Sequence, residues 1–133
     1  MRLAIVLVLA ALATAGCGRS GDRAEVRSVT EHFLAAVESG DGQAACADLS
    51  TDTRKELESQ EQRDCREAVR ELQLEPGATD RVEVYVTSAK VDLASGQSAF
   101  LSRTQEGWRL SAVGCEPEAG EPAETPYDCE LEA

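Results

Sequence analysis

Five cysteines and a single histidine carry most of the side-chain chemistry open to this chain. Cys46, Cys65, Cys115 and Cys129 form an even set, and an even set of thiols in an exported chain most simply makes disulfides. Of the three possible pairings, Cys46 with Cys65 and Cys115 with Cys129 is expected. The first pair falls on the inward sides of two expected helices, and the second would hold an acidic segment back on a sheet. Redox or zinc chemistry would want closely spaced CxxC pairs or added histidines, and the spacing offers neither. His32 falls well away from the apolar face of its expected helix and reads as a solvated surface residue. A general base needs a partner and a pocket, and no nucleophile elbow, Gly-rich phosphate loop or HExxH pattern accompanies it. The acid-rich end of the chain lacks the oxygen-ligand spacing of an EF-hand loop. No catalytic, cofactor-binding or metal-ligating residue is therefore expected.

Cys17 stands apart from the other four. Met1 and Arg2 lead into an apolar run from Leu3 to Leu12 that ends in Thr14-Ala15-Gly16-Cys17. A cationic start, roughly 7 to 15 apolar residues and small residues at the cut make a secretory signal. A membrane span would need roughly 20 apolar residues, so residues 1–16 are expected to be removed. The last positions resemble the lipobox of lipoprotein signal peptides, in which small residues precede an acylated cysteine, although Thr14 stands where that pattern usually has Leu. The resemblance implies lipidation of Cys17 and a chain anchored on the extracytoplasmic face of the cell membrane. The alternative is ordinary cleavage after Ala13-Thr14-Ala15, which would release a secreted protein starting at Gly16 and leave one orphan thiol.

The chain has 133 residues and a formal net charge of −12, which becomes one unit more negative when a leader holding Arg2 and no acid is lost. A field of that sign is repelled by phosphate backbones and anionic headgroups. Nucleic-acid binding is thus not expected, and membrane attachment has to come from the lipid. Partners are expected among envelope proteins or small-molecule ligands.

The elements that must position these residues begin after a tether over 17–23. Asp22 and Glu25 have capping-box spacing, and Val26, Val29, Phe33 and Val37 then share one helical face flanked by Thr30 and Leu34. Ser39-Gly40 should end this helix. Asp41 should cap a short second one carrying Ala45, Cys46 and Leu49. Thr53 with Glu56, and Ser59 with Gln62, repeat the cap-to-N3 spacing. They predict a short helical piece and then a helix to about Gln73, with Cys65, Ala68, Val69 and Leu72 inward.

After Glu75-Pro76-Gly77 the period switches to two, with Val82, Val84 and Val86 alternating against Glu83, Tyr85 and Thr87. The parity then moves to Ala89, Val91 and Leu93, which one inserted residue would produce, so a bulge or bend is expected near Thr87-Ser88. Turns at Ser95-Gly96 and Gln105-Gly107 frame two more strands. The later one sets Trp108, Leu110 and Ala112 on one face, with Trp108 in the core and Tyr85 on the surface. The segment 116–133 holds seven acids and no base. It would read as a disordered tail were it not for Tyr127, Cys129 and Leu131, whose alternation predicts a last short strand.

This order of elements, with VTEHFLAAVESGD from Val29 to Asp41, the Cys46 and Cys65 pair and the Gly107-Trp108-Arg109-Leu110 strand, resembles NTF2-like (cystatin-like) lipoproteins of actinobacteria over roughly residues 24–115. The resemblance implies an α+β fold, with N-terminal helices packed into a cone made by a curved antiparallel β-meander, in one domain over 24–133. The family includes ligand binders, accessory domains and a minority of enzymes, and the fold alone does not choose among them. Its enzymes place acids and bases inside the cone, whereas the interior positions assigned here are Val, Ala, Phe and Leu. Two expectations follow: a non-catalytic binding or accessory domain on a lipid anchor, or a small-ligand receptor or enzyme that uses the cone.

Overall fold

The computed structural model describes residues 18–118 and 126–133. Residues 1–17, which include the expected signal segment and Cys17, and residues 119–125 of the acidic segment lie outside them. Four α-helices come first: α1 (Gly18–Ser39), α2 (Gly42–Asp48), α3 (Thr51–Glu61) and α4 (Cys65–Ala68), the last continued by a 3-10 turn at Val69–Glu71. Five strands follow, β1 (Thr79–Val84), β2 (Ser88–Leu93), β3 (Ser98–Thr104), β4 (Gly107–Pro117) and β5 (Tyr127–Glu132), paired antiparallel in the order β1-β2-β3-β4-β5. The fold is α+β, and each hairpin feeds directly into the next.

The apolar face read from α1 is the one it buries. Val26 and Phe33 are fully enclosed and Ala36 nearly so, while Val29, Leu34 and Val37 pack at the margin. Thr30 lies in the same interface and satisfies its hydroxyl by donating to the Val26 carbonyl at 2.9 Å, so a polar residue is buried without a lost hydrogen bond. Against this face the sheet presents Val91, Leu101, Trp108, Leu110 and Leu131, all at most 1% exposed. The helical layer adds Leu49, Leu57, Cys65 and Val69. Each large apolar side chain so buried contributes about 1.5–3 kcal/mol relative to exposure.

Several local expectations are corrected. The stretch read as a tether is helical from Gly18 onward. Asp22 is not a helix cap but a partner of Trp108 and Arg103. Asp41 does cap α2, accepting from Ala44 N at 3.0 Å. The next two caps are Ser50, which accepts from Thr53 N, and Asp64, which accepts from Arg66 N, in place of Thr53 and Ser59. The long helix consequently comes first and the short one second, because Gln62 adopts φ 54° and ends α3. The run from Val82 to Leu93 is two strands rather than one bulged strand. Tyr85 N donates to the Ser88 carbonyl at 2.8 Å and closes a hairpin there, which leaves Val86 in the turn and 86% exposed.

Bulges do occur elsewhere. Ser98 to Leu101 on β3 spans the same stretch as Leu110 to Cys115 on β4, so β4 accommodates additional residues, which bends the strand and increases its twist.

Candidate functional site

Both disulfides join the expected partners. Cys46–Cys65 links α2 to the start of α4, and Cys115–Cys129 joins residues directly opposite each other on β4 and β5. Two bridges in so short a chain belong to an oxidising compartment. Among the described residues no helix is long and apolar enough to cross a membrane, and no group of His, Cys, Asp or Glu is placed to hold a metal ion.

The first turns of α1 are fastened to the β3–β4 hairpin. The Trp108 indole N–H donates to Asp22 Oδ1 at 3.2 Å, and Trp108 N donates to Glu25 Oε1 at 3.1 Å. Arg103 forms an ion pair with Asp22 and lies over the Trp108 ring at 4.8 Å. These partners hold the Asp22 carboxyl below its usual range, the Trp108 hydrogen bond most of all, against some desolvation. The stabilisation this brings is present above the ordinary carboxylate pKa and is lost as pH falls through the lowered one. Gly107 is required here twice over. Its φ is 102°, and a Cβ would lie 2.5 Å from Glu25 Oε1.

His32 does have a partner that its sequence context did not reveal: its Nδ1 lies 2.5 Å from Asp48 Oδ2. The imidazole is 59% exposed and lines none of the grooves described below, so the pair bridges α1 and α2 at the surface. His32→Ala is expected to leave activity intact and to shift stability by no more than about 1 kcal/mol, the size of a single hydrogen bond made by a largely exposed side chain. A urea melt beside a deletion-complementation assay checks this, and loss of the phenotype in a protein that melts normally would make His32 a working residue.

Charged and aromatic groups converge most closely on the sheet face turned away from the helices. A groove of about 620 Å³ there is lined by Tyr85, Lys90, Phe100, Ser102, Ala112 and Tyr127, among others. Phe100 and Tyr127 meet edge to face with centroids 5.1 Å apart, and Lys90 Nζ sits 5.3 Å from the centre of the Tyr127 ring. Lys90 also reaches Asp92 Oδ1 at 2.9 Å, and Ser98 donates to the same oxygen at 2.8 Å. The Tyr127 hydroxyl and then Asp92 raise the Lys90 pKa. Desolvation works against ionised Asp92, but Lys90 and Ser98 outweigh it and hold the carboxyl low. Both groups therefore stay charged and paired at neutral pH, which suits recognition better than proton transfer.

A second groove, about 730 Å³, runs between α1 and residues 74–79, with Leu34, Val37, Leu74 and Ala78 in its wall and Glu31 and Glu38 also lining it. Arg27 donates across to the Thr79 carbonyl at 3.0 Å, and Thr79 Oγ1 is buried without a hydrogen-bond partner among the described residues.

The outer groove is assembled from separate strands and has no single signature in the sequence. Tyr85 is a surface aromatic at 61% exposure that also lines this groove; strand parity sets Lys90 and Phe100 opposite buried Val91 and Leu101, but Tyr127 shares the parity of buried Leu131, so parity does not mark it as outward. In comparisons with known proteins the chain matches no family model, no curated protein and no solved structure.

Proposed function

We propose that this chain is a lipid-anchored cell-envelope protein, with Cys17 as the acylated residue, whose NTF2-like domain acts as a non-catalytic binding or accessory module. One observation carries the second half of that reading. The space between helices and sheet is filled by Val26, Phe33, Leu57, Val91, Leu101 and Trp108, each 0–1% exposed. An enzyme of this architecture would need ionisable groups converging there. The outer groove, with its aromatic pair and its neutralised Lys90–Asp92 pair, supports recognition of a partner or a small ligand at the sheet surface.

The anchoring half rests on Ala15-Gly16-Cys17 and on the oxidising compartment that two disulfides indicate. The mature protein is expected to partition into detergent and to carry acyl mass on Cys17, and Cys17→Ser is expected to lose both. Intact-mass analysis of membrane-extracted protein is the measurement. An unmodified N-terminal Gly16 would overturn the lipoprotein reading.

A further inference from the structure

A residue acylated at Cys17 would be followed at once by Gly18, the first residue of α1. At a rise of about 1.5 Å per residue, Asp22 lies only about 6 Å further along the helix. Asp22 is where the helix is fastened, through the Trp108 indole and Arg103, and one turn later Glu25 holds the Trp108 backbone N–H. The helix that begins one peptide unit after the proposed attachment point is thereby fastened beside the β3–β4 turn at Gln105-Glu106.

The same end gathers four of the chain's arginines. Arg19 and Arg23 are exposed one turn apart on α1, and neither is in an ion pair among the described residues. Arg103 and Arg109 come from the two strands of the hairpin, and Arg109 donates to the Trp108 carbonyl at 2.8 Å. Asp22, Glu25 and Glu106 lie at the same end and Asp22 is paired with Arg103, so the cations this end offers beside the proposed lipid are chiefly Arg19 and Arg23.

We infer that the domain sits on the bilayer in one fixed orientation, with the first turns of α1 and the β3–β4 turn facing the membrane and Arg19 and Arg23 meeting headgroup phosphates. This rests on the lipoprotein reading proposed above. Anionic headgroups would repel most of this surface but attract basic residues held within a Debye length of them. The Ser95-Gly96 turn, about 20 Å away at the far end of β3, then points outward, and the outer groove stands beside the membrane rather than against it.

The experiment uses the acylated full-length protein in vesicles of phosphatidylcholine and phosphatidylglycerol carrying nitroxide-labelled headgroups. A fluorescent unnatural amino acid is placed at Gln105 in one sample and at Ala94, an exposed residue beside the far turn, in another. Severalfold stronger quenching at position 105 than at position 94 is expected, and Arg19→Glu combined with Arg23→Glu should narrow that difference. Equal quenching, or stronger quenching at position 94, in protein whose Cys17 carries acyl mass overturns the orientation alone. Absence of acyl mass and of vesicle association overturns the anchor, and with it this inference. Thermal melts and intact disulfides in each labelled protein confirm that the fold is retained.

Discussion

Trp108→Ala is expected to lower stability by about 3 to 5 kcal/mol, the range for truncating a large buried aromatic side chain. The ring is wholly enclosed, so the substitution removes its transfer energy and leaves a cavity between α1 and β4. It also takes away the indole N–H on which Asp22 relies and the ring face over which Arg103 lies. Trp108→Phe separates these contributions. It keeps most of the packing and loses the hydrogen bond, so it should cost less than the alanine variant but more than a surface change. Denaturant unfolding of the mature domain measures both, and a loss under about 1 kcal/mol for the alanine variant would deny Trp108 its place in the core.

Removal of the Cys46–Cys65 bridge by paired alanine substitution is expected to cost about 2 to 5 kcal/mol, and more than removal of Cys115–Cys129. The two bridges close loops of similar length, 19 and 14 residues apart in sequence, so chain entropy does not separate them strongly. The native context does. Cys115 and Cys129 already face each other in a hydrogen-bonded ladder, whereas α4 is four residues long and is far too short to persist by itself. The fit around the first bridge is also close, since a Cβ on Gly42 would lie 1.9 Å from the Arg66 carbonyl oxygen. Unfolding curves of the two double variants make the comparison, with non-reducing peptide maps to confirm the surviving bridge. The opposite ranking would mean that the helical layer holds together without its disulfide.

These two predictions draw on parts of the molecule that were readable in advance. Both disulfide pairings, the buried stripe of α1, the end of α1 at Ser39-Gly40 and the inward placement of Trp108 follow from cysteine parity and from periods of 3.6 and 2. Where the fold departs from these patterns, the causes are identifiable. Tyr85-Val86-Thr87 turns a hairpin without glycine, proline or asparagine, so the usual turn signals were missing and two strands passed for one. The Gly-Arg-Ser-Gly start of α1 has poor helix propensity, and the tertiary fastening of Asp22 and Glu25 overrides it. Ser50 and Asp64 are the caps although neighbouring residues offer equally good cap spacing in the sequence. Asp48 stands sixteen positions from His32, and the outer groove draws on three strands; neither juxtaposition can be read before the chain is folded.

Among the described residues the sheet order leaves β5 as an open edge, and that edge changes how the acidic end of the chain should be regarded. An unpaired strand offers its free N–H and C=O groups to any other chain that can extend the ladder, and proteins crowded on a surface meet such chains often. Asp128, Glu130 and Glu132 are all exposed along β5, and Pro126 precedes it. A second copy aligning its own β5 would bring three carboxylates from each strand into close register, and like charges set opposite one another destabilise a pair. The acids of this segment thus act as a guard against self-association as well as a source of solubility. The Cys115–Cys129 bridge meanwhile pins β5 to β4, so the charged edge stays where it can do this.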